Sequence, residues 1–335
     1  MMKALEGVDR WFGLREQGTT LRREMLAGLT TFLTMAYIIV VQPAVLSGSM
    51  FGMKTGMDFG AVTVATCLSA ALASAIMGIY GRYPNAQAPG MGQNFFFVFS
   101  AIPAAAAAGF ANSWQVALGA VFLSGVLFLA LSLIGVREKI IDAISPSLKH
   151  GIAVGIGLFI AFIGLQNAGL IVKDPGTAVK LNPHFASPEI GIFFFGLVLM
   201  TVLSARRVPG AIFCGIAGST LLALALGRLH PAGIVSAPPS LAPTFLKMDV
   251  VHALSPSMIP FVIIFLVMVL FDTIGTLIGV AQQAGLIKNN KLPRARQALV
   301  SDAAGTIVGA ALGTSTVTSF IESAAGVESR GAVPA

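Results

Sequence analysis

The sequence predicts an all-α polytopic membrane protein, and two observations predict it. Of 335 residues, 56% are hydrophobic and only 10% charged, with a mean hydropathy of +0.85. A soluble domain carries about 25% charged residues, so this composition cannot build a water-facing surface. Apolar windows also recur at roughly 20 residues, the length an α-helix needs to cross the hydrocarbon core.

Taken in order, those windows place spans near 24–46, 60–80, 114–135, 149–171, 189–205, 209–227, 258–281 and 297–312. Two shorter segments, near 86–106 and 314–328, are rich in small residues. Residues 1–23 lack the apolar stretch of a cleaved signal peptide. Val8, Trp11, Phe12 and Leu14 beside Arg10 and Arg15 suggest a short amphipathic helix on the cytoplasmic surface. The longest connection, 228–257, contains five prolines and leaves no room for a soluble domain.

The basic residues orient these spans. With a cytoplasmic N-terminus, fifteen of them fall inside, from Lys3 to Arg296. Outside lie only Lys54, Lys173, Lys180, Arg228 and Lys247, with Arg330 in the tail. That is a strong positive-inside bias. The net charge of +7 therefore reports topology and excludes nucleic-acid binding, because the charge is spread over short loops. Cys67 and Cys214 sit inside spans and read as small packing residues, with no disulfide framework. His150, His184, His230 and His252 show no metal-ligand spacing, so no metal is expected.

Eleven of the fourteen Asp and Glu residues lie in loops, tails or span ends. Asp272, Asp302 and Glu322 do not fit so easily. From Met258 to Ala281 the chain has one ionisable side chain, Asp272. A carboxylate at mid-membrane costs about 2.5–3.5 kcal/mol on insertion scales, so it normally faces a polar cavity and has a function. Thr276 lies one turn further on the same helical face. Asp302, after Ser301 near the start of its span, reads as a helix cap or interhelical bond, with proton transfer as the alternative.

Glu322 sits in Gly313-Thr-Ser-Thr-Val-Thr-Ser-Phe-Ile-Glu-Ser-Ala-Ala-Gly326. That reads as an extended Thr/Ser stretch leading into a half-helix, permitted at membrane depth only where it lines a cavity. Ala88-Pro-Gly-Met-Gly-Gln-Asn94 has the same character. Pro89, Gly90 and Gly92 disfavour a regular helix there, and Asn94 is placed to cap the helix that follows or to point into the cavity. Each broken segment is the third of its own half, one half beginning at 24–46 and the other at 258–281. Such pairs mark transporter binding sites. Gly90-Met-Gly92 lacks the βαβ unit of a dinucleotide loop. Phe95, Phe96 and Phe97 read as lipid- or core-facing before they read as a stacking platform.

These residues carry a resemblance. Ala27–Ile38, Ala88–Asn94, Leu270–Thr276 and Gly313–Gly326 resemble, in order, motifs of the azaguanine-type purine permeases, a branch of the nucleobase–ascorbate transporter superfamily. The resemblance implies fourteen segments in two inverted repeats of seven, divided into a core and a gate. It would place core segments in 24–135 and 258–328 and gate segments in 149–227, after a cytoplasmic 1–23 and before a tail at 329–335. It also implies proton-coupled uptake of adenine, guanine or hypoxanthine across the inner membrane, with no cofactor beyond the proton gradient. Asp272 and Glu322 match the family's substrate carboxylates on the eighth and tenth segments, with Asn94, Gly90 and Gly92 on the third. Thr276 joins them as a substrate candidate, and Glu322, Asp272 and Asp302 are the proton-coupling candidates.

The chemistry agrees. A purine offers ring N–H groups that carboxylates accept strongly, while amide and backbone groups meet its acceptors. A carboxylate away from water can also exchange a proton. Gln93 and Phe95 depart from the Leu and Ala common in relatives, which leaves the third-segment wall and the choice of purine open. The chain stops nine residues after Gly326. An N-terminal portion with ten segments, lacking the eleventh to fourteenth, is therefore expected. The alternatives are the same fold carrying uracil, xanthine or an anion, or a non-transporting fragment. No nucleophile–base pair points to an enzyme. The expected partners are a purine and the lipid bilayer, with homodimerisation left open.

Overall fold

The computed structural model describes residues 11–14, 18–134, 146–206, 208, 210–229, 237–287 and 292–329. Most of the expected surface helix at the N-terminus lies outside these residues, although the Arg82 guanidinium sits 5.3 Å from the centre of the Trp11 ring.

The first span is α1 (Leu21–Met35) continued by α2 (Ile38–Leu46). The Thr20 side chain accepts the Arg23 N–H and starts α1. α3 (Phe59–Ile76) is capped by Asp58, which accepts the Ala61 N–H at 2.7 Å, and ends in a π-helical turn at Met77–Gly81. Then comes the first break. A short strand, β1 (Gln87–Pro89), leads into α4 (Met91–Phe96), a π turn at Phe97–Ala101 and α5 (Ile102–Ala107). α6 (Ser113–Ile134) completes this part.

α7 (Pro146–Asn167) is shorter than the expected span of 149–171. The chain leaves the helix there, with the Leu170 N–H turned back to the Leu165 carbonyl, and forms a hairpin of β2 (Ile171–Asp174) and β3 (Ala178–Leu181). The hairpin has an ion pair at its turn, Lys180 to Asp174 at 2.8 Å. That ammonium, with the Gly176 and Thr177 N–H groups, holds the Asp174 carboxyl below its ordinary range. α8 (Pro188–Ala205) and α9 (Ala211–Ala225) follow, then the one-turn α10 (Val250–Ala253). α11 (Ile259–Gln283), α12 (Ala295–Leu312), the strand β4 (Val317–Ser319) and α13 (Ser323–Ser329) repeat the order helix, helix, strand, half-helix.

Among the described residues, five helical stretches are long and apolar enough to cross a membrane: Leu21–Leu46, Phe59–Gly81, Ser113–Ile134, Pro188–Ala205 and Ile259–Gln283. Lipid tails are as apolar as leucine, so these helices gain little by burying apolar surface against one another. Close packing of small residues holds them instead. A side chain at Gly305 would meet the Ala73 methyl at 2.9 Å, and one at Gly125 would meet Thr306 and Ile307 at 3.0 Å. α12, rich in Ala and Gly, thus fits between α3 and α6. Cys67 and Cys214 are not packed inside as expected; both are free thiols on exposed helix faces. A small apolar side chain suits a lipid-facing surface as well as an interior.

Candidate functional site

The two broken segments meet. β1 and β4 run antiparallel, with Gln87 opposite Ser319, Ala88 opposite Thr318 and Pro89 opposite Val317. The pairing extends through Gly90 N–H to the Thr316 carbonyl at 2.9 Å and Phe320 N–H to the Ala86 carbonyl at 3.0 Å. A two-stranded ribbon has two open edges, and unpaired backbone groups inside a membrane cost several kcal/mol each. Each edge is closed by a hydroxyl from the helix before its strand. Ser74 of α3 accepts the Gln87 N–H at 2.8 Å, and Thr306 of α12 donates to the Val317 carbonyl at 2.7 Å. The chain turns into β4 at Gly313, whose φ of +99° and contact with Thr244 leave no place for a side chain.

Three polar clusters surround this crossing. On the first, Asp302 of α12 is completely buried. Its Oδ1 accepts from Gln87 Nε2 at 2.7 Å and from Ser319 at 3.4 Å, and its Oδ2 accepts from the Thr273 hydroxyl. Asp302 does not cap its own helix: it lies inside α12, whose N-terminus at Arg294 has no side-chain cap. The interhelical reading is the one the structure shows.

The second cluster holds Asn94, also completely buried. Its amide pairs with that of Gln42 on α2, donating Nδ2–H to Oε1 and accepting from Nε2 at 3.2 Å. Ser315 donates to Asn94 as well, and Gln42 donates to Thr314 at 2.8 Å. Asn94 lies within α4, and Gly90 precedes that helix without any side-chain cap. Of its two expected roles, capping is therefore not found, and its amide is turned to α2 and the chain before β4.

The third cluster brings Asp272 and Glu322 together. Asp272 of α11 is half-buried, and its Oδ2 accepts from Gln93 Nε2 at 3.0 Å. A carboxylate accepts only, so the Gln93 amide must present its nitrogen there. The amide packs against Gly90, where a side chain would collide with Gln93 Oε1. Glu322, half-buried just before α13, accepts from the Tyr37 hydroxyl at 2.7 Å. Between described residues, neither carboxylate forms a salt bridge. Thr276 is buried one turn beyond Asp272, and Gly92 is half-buried at the start of α4.

Tyr37, Gln42 and Gln93 were not among the residues singled out from sequence as site candidates. Each is a polar side chain inside an apolar run, the signal that could have found it. The phenylalanines pack among themselves: Phe96 stacks on Phe261 at 5.7 Å and meets Phe265 edge-on at 5.1 Å. A separate cavity of about 460 Å³ lies between α1, α3 and α13, lined by Thr31, Ala70 and Asn85 among others, and neither Asp272 nor Glu322 reaches it. Among the described residues no cluster of His, Cys, Asp or Glu could hold a metal ion.

Comparison with known proteins places this arrangement. A permease family matches residues 22–332. A putative permease of Methanocaldococcus jannaschii is 48% identical over 96% of this chain and 71% of its own length. The guanine/hypoxanthine permease PbuG of Bacillus subtilis is 44% identical over 95% of this chain and 72% of its own. The adenine permease AdeP of Escherichia coli is 41% identical over 96% and 69%. The transmembrane domain of a cyanobacterial bicarbonate transporter, BicA, shares the fold with a TM-score of 0.63 over 93% of this chain and 78% of that one, at 13% identity. Two paired broken segments, the neutral-donor-held carboxylates and these similarities lead to one assignment: the chain belongs to the permease family, within the nucleobase–ascorbate transporter superfamily.

Proposed function

We propose that this chain carries purine nucleobases across the inner membrane in symport with protons, its N-terminus cytoplasmic. The observation that supports the reading is the meeting of Asp272 and Glu322 at the crossing, each held by a neutral donor instead of a cation. A purine has no net charge. A site for it needs acceptors for ring N–H groups, and a carboxylate bound to a single amide retains lone pairs to offer. An anion site would need a basic group, and between described residues none pairs with these carboxylates. The relatives named for guanine, hypoxanthine and adenine transport point the same way.

Asp272 and Glu322 contact the purine, and Thr276, Gly90 and Gly92 shape the wall beside it. Asn94 contributes through the α2 contact that holds α4 in place. The test is equilibrium binding of tritiated hypoxanthine to purified wild type, Asp272→Asn and Glu322→Gln. Each variant should lose binding by about 1–3 kcal/mol, the penalty for leaving a buried partner unpaired. Binding within about twofold of wild type in both, a difference under about 0.5 kcal/mol, overturns the assignment.

A further inference from the structure

Gln93 and Asn94 are neighbours on α4, yet their amides are used differently. Asn94 is bonded at both ends: Nδ2 donates to Gln42, and Oδ1 accepts from Gln42 Nε2 and from Ser315. Gln93 is bonded at one end. Its Nε2 donates to Asp272 Oδ2 at 3.0 Å, while its buried Oε1 accepts from none of the described residues. Gln93 is 1% exposed, whereas Asp272 keeps part of its surface open. A molecule entering here therefore touches the carboxylate, with the amide behind it.

A buried acceptor without a partner costs stability, and the fold makes room for this one. Turning the amide over would not relieve it, because its oxygen would then face a carboxylate that can only accept. Gly90 provides the room. A side chain there would stand 2.2 Å from Gln93 Oε1 and 2.9 Å from the Thr318 methyl. Gly90 has φ −74°, a value any residue adopts, so space and not conformation calls for glycine. Packing alone would be served better by an apolar side chain of the same length, which has no oxygen to bury. What the amide adds is the bond from its nitrogen to Asp272.

We infer that Gln93 is a positioning residue for Asp272, with Gly90 as the space its amide requires, an inference that rests on the purine reading above. A carboxylate tied at Oδ2 is fixed in rotation, so Oδ1 is offered to a purine N–H in one direction. Order established before binding favours affinity, because the ligand need not immobilise the side chain itself. The amide is neutral, so it leaves the charge of Asp272 uncancelled and its second oxygen a strong acceptor. For stability the same amide is a burden, since its oxygen has no partner among the described residues. Binding and stability therefore pull in opposite directions at Gln93, as they do where a fold keeps a locally unfavourable group for its activity.

The test pairs equilibrium binding of tritiated hypoxanthine with thermal unfolding in detergent, on wild type, Asp272→Asn, Gln93→Met and the double variant. Gln93→Met keeps the length of the side chain and removes both ends of the amide. It should weaken binding about tenfold, the scale of one hydrogen bond to a charged group, with an unfolding midpoint equal to or above that of wild type. In the Asp272→Asn background it should change binding by less than about twofold, because no carboxylate is left to orient. Binding in Gln93→Met within about twofold of wild type overturns the positioning role. A midpoint that falls along with binding, or an equal loss in the Asp272→Asn background, overturns it as well. If Gln93→Met fails to fold, Gly90→Ala decides, since it displaces the amide while leaving it present; unchanged binding there overturns the role. If Asp272→Asn binds hypoxanthine as wild type does, the purine reading at Asp272 fails, and the positioning role fails with it.

Discussion

α11 and α8 are both apolar enough to cross a bilayer, yet they meet opposite surroundings. α11 buries residues along most of its length, from Val262 to Ala281. α8 buries only Ile190 and Gly196, and leaves Phe194, Phe195, Val198 and Val202 exposed. What α8 packs on is α9, through contacts in which a side chain at Gly215 would strike Met200 and one at Gly218 would meet Leu199 at 2.6 Å. Their polar groups differ in the same sense. Thr201 of α8 folds its hydroxyl back onto the Leu197 carbonyl at 2.7 Å, whereas Thr273 of α11 reaches across to α12 and β4. Hydropathy therefore finds helices of both kinds alike, and it is the reach of the polar side chains that separates an inner helix from an outer one.

The sharpest way to break this comparison is Asp302→Ala. It removes the acceptor of Gln87 and Thr273, leaving Gln87 only a long contact with Ser319 and Thr273 only the Thr318 hydroxyl, and should destabilise the protein by about 3–5 kcal/mol. Thermal unfolding in detergent would show it as a marked fall in midpoint; an unchanged midpoint would mean that the crossing does not depend on its polar clasp. Gln42→Leu should come next, at about 1–3 kcal/mol, because Asn94 and Ser315 retain each other while Thr314 loses the Gln42 amide. The smallest effect is expected at Val198→Ala on α8, within about 0.5 kcal/mol, since most of its side chain is exposed. If Val198→Ala matched Gln42→Leu, α8 would have a packed partner on its outer face.

Much of this was legible before the structure. Long apolar windows named the spans, and the Pro89–Gly90 and Thr314–Ser319 stretches named the breaks, because both signals are local. Asp272 and Glu322 were legible for a different reason: a carboxylate in an apolar run has few physical explanations. The pairing of β1 with β4 was not, since the partner of each strand lies in the other half and three-residue strands carry no periodicity. Gln42 escaped for a related reason. A lone glutamine inside Ile38–Leu46 looks tolerable until its partners Asn94 and Thr314 are brought beside it. The end of α7 and the hairpin after it were misread because Ile171 and Val172 prolong the apolar run while belonging to a strand.

The strand crossing also sets a waiting time during synthesis. Gln87 and Ser319, paired in register, are 232 positions apart in the chain. At about 5–20 residues per second, β1 would emerge roughly 10–50 s before the residues that pair with it. Through that interval, among the described residues that precede it, Ser74 is the side chain that bonds the Gln87 backbone. Nascent β1 therefore needs shelter from lipid, in the insertion machinery or in water at the membrane face, until β4 arrives. The first half of this permease cannot settle into its final form ahead of the second.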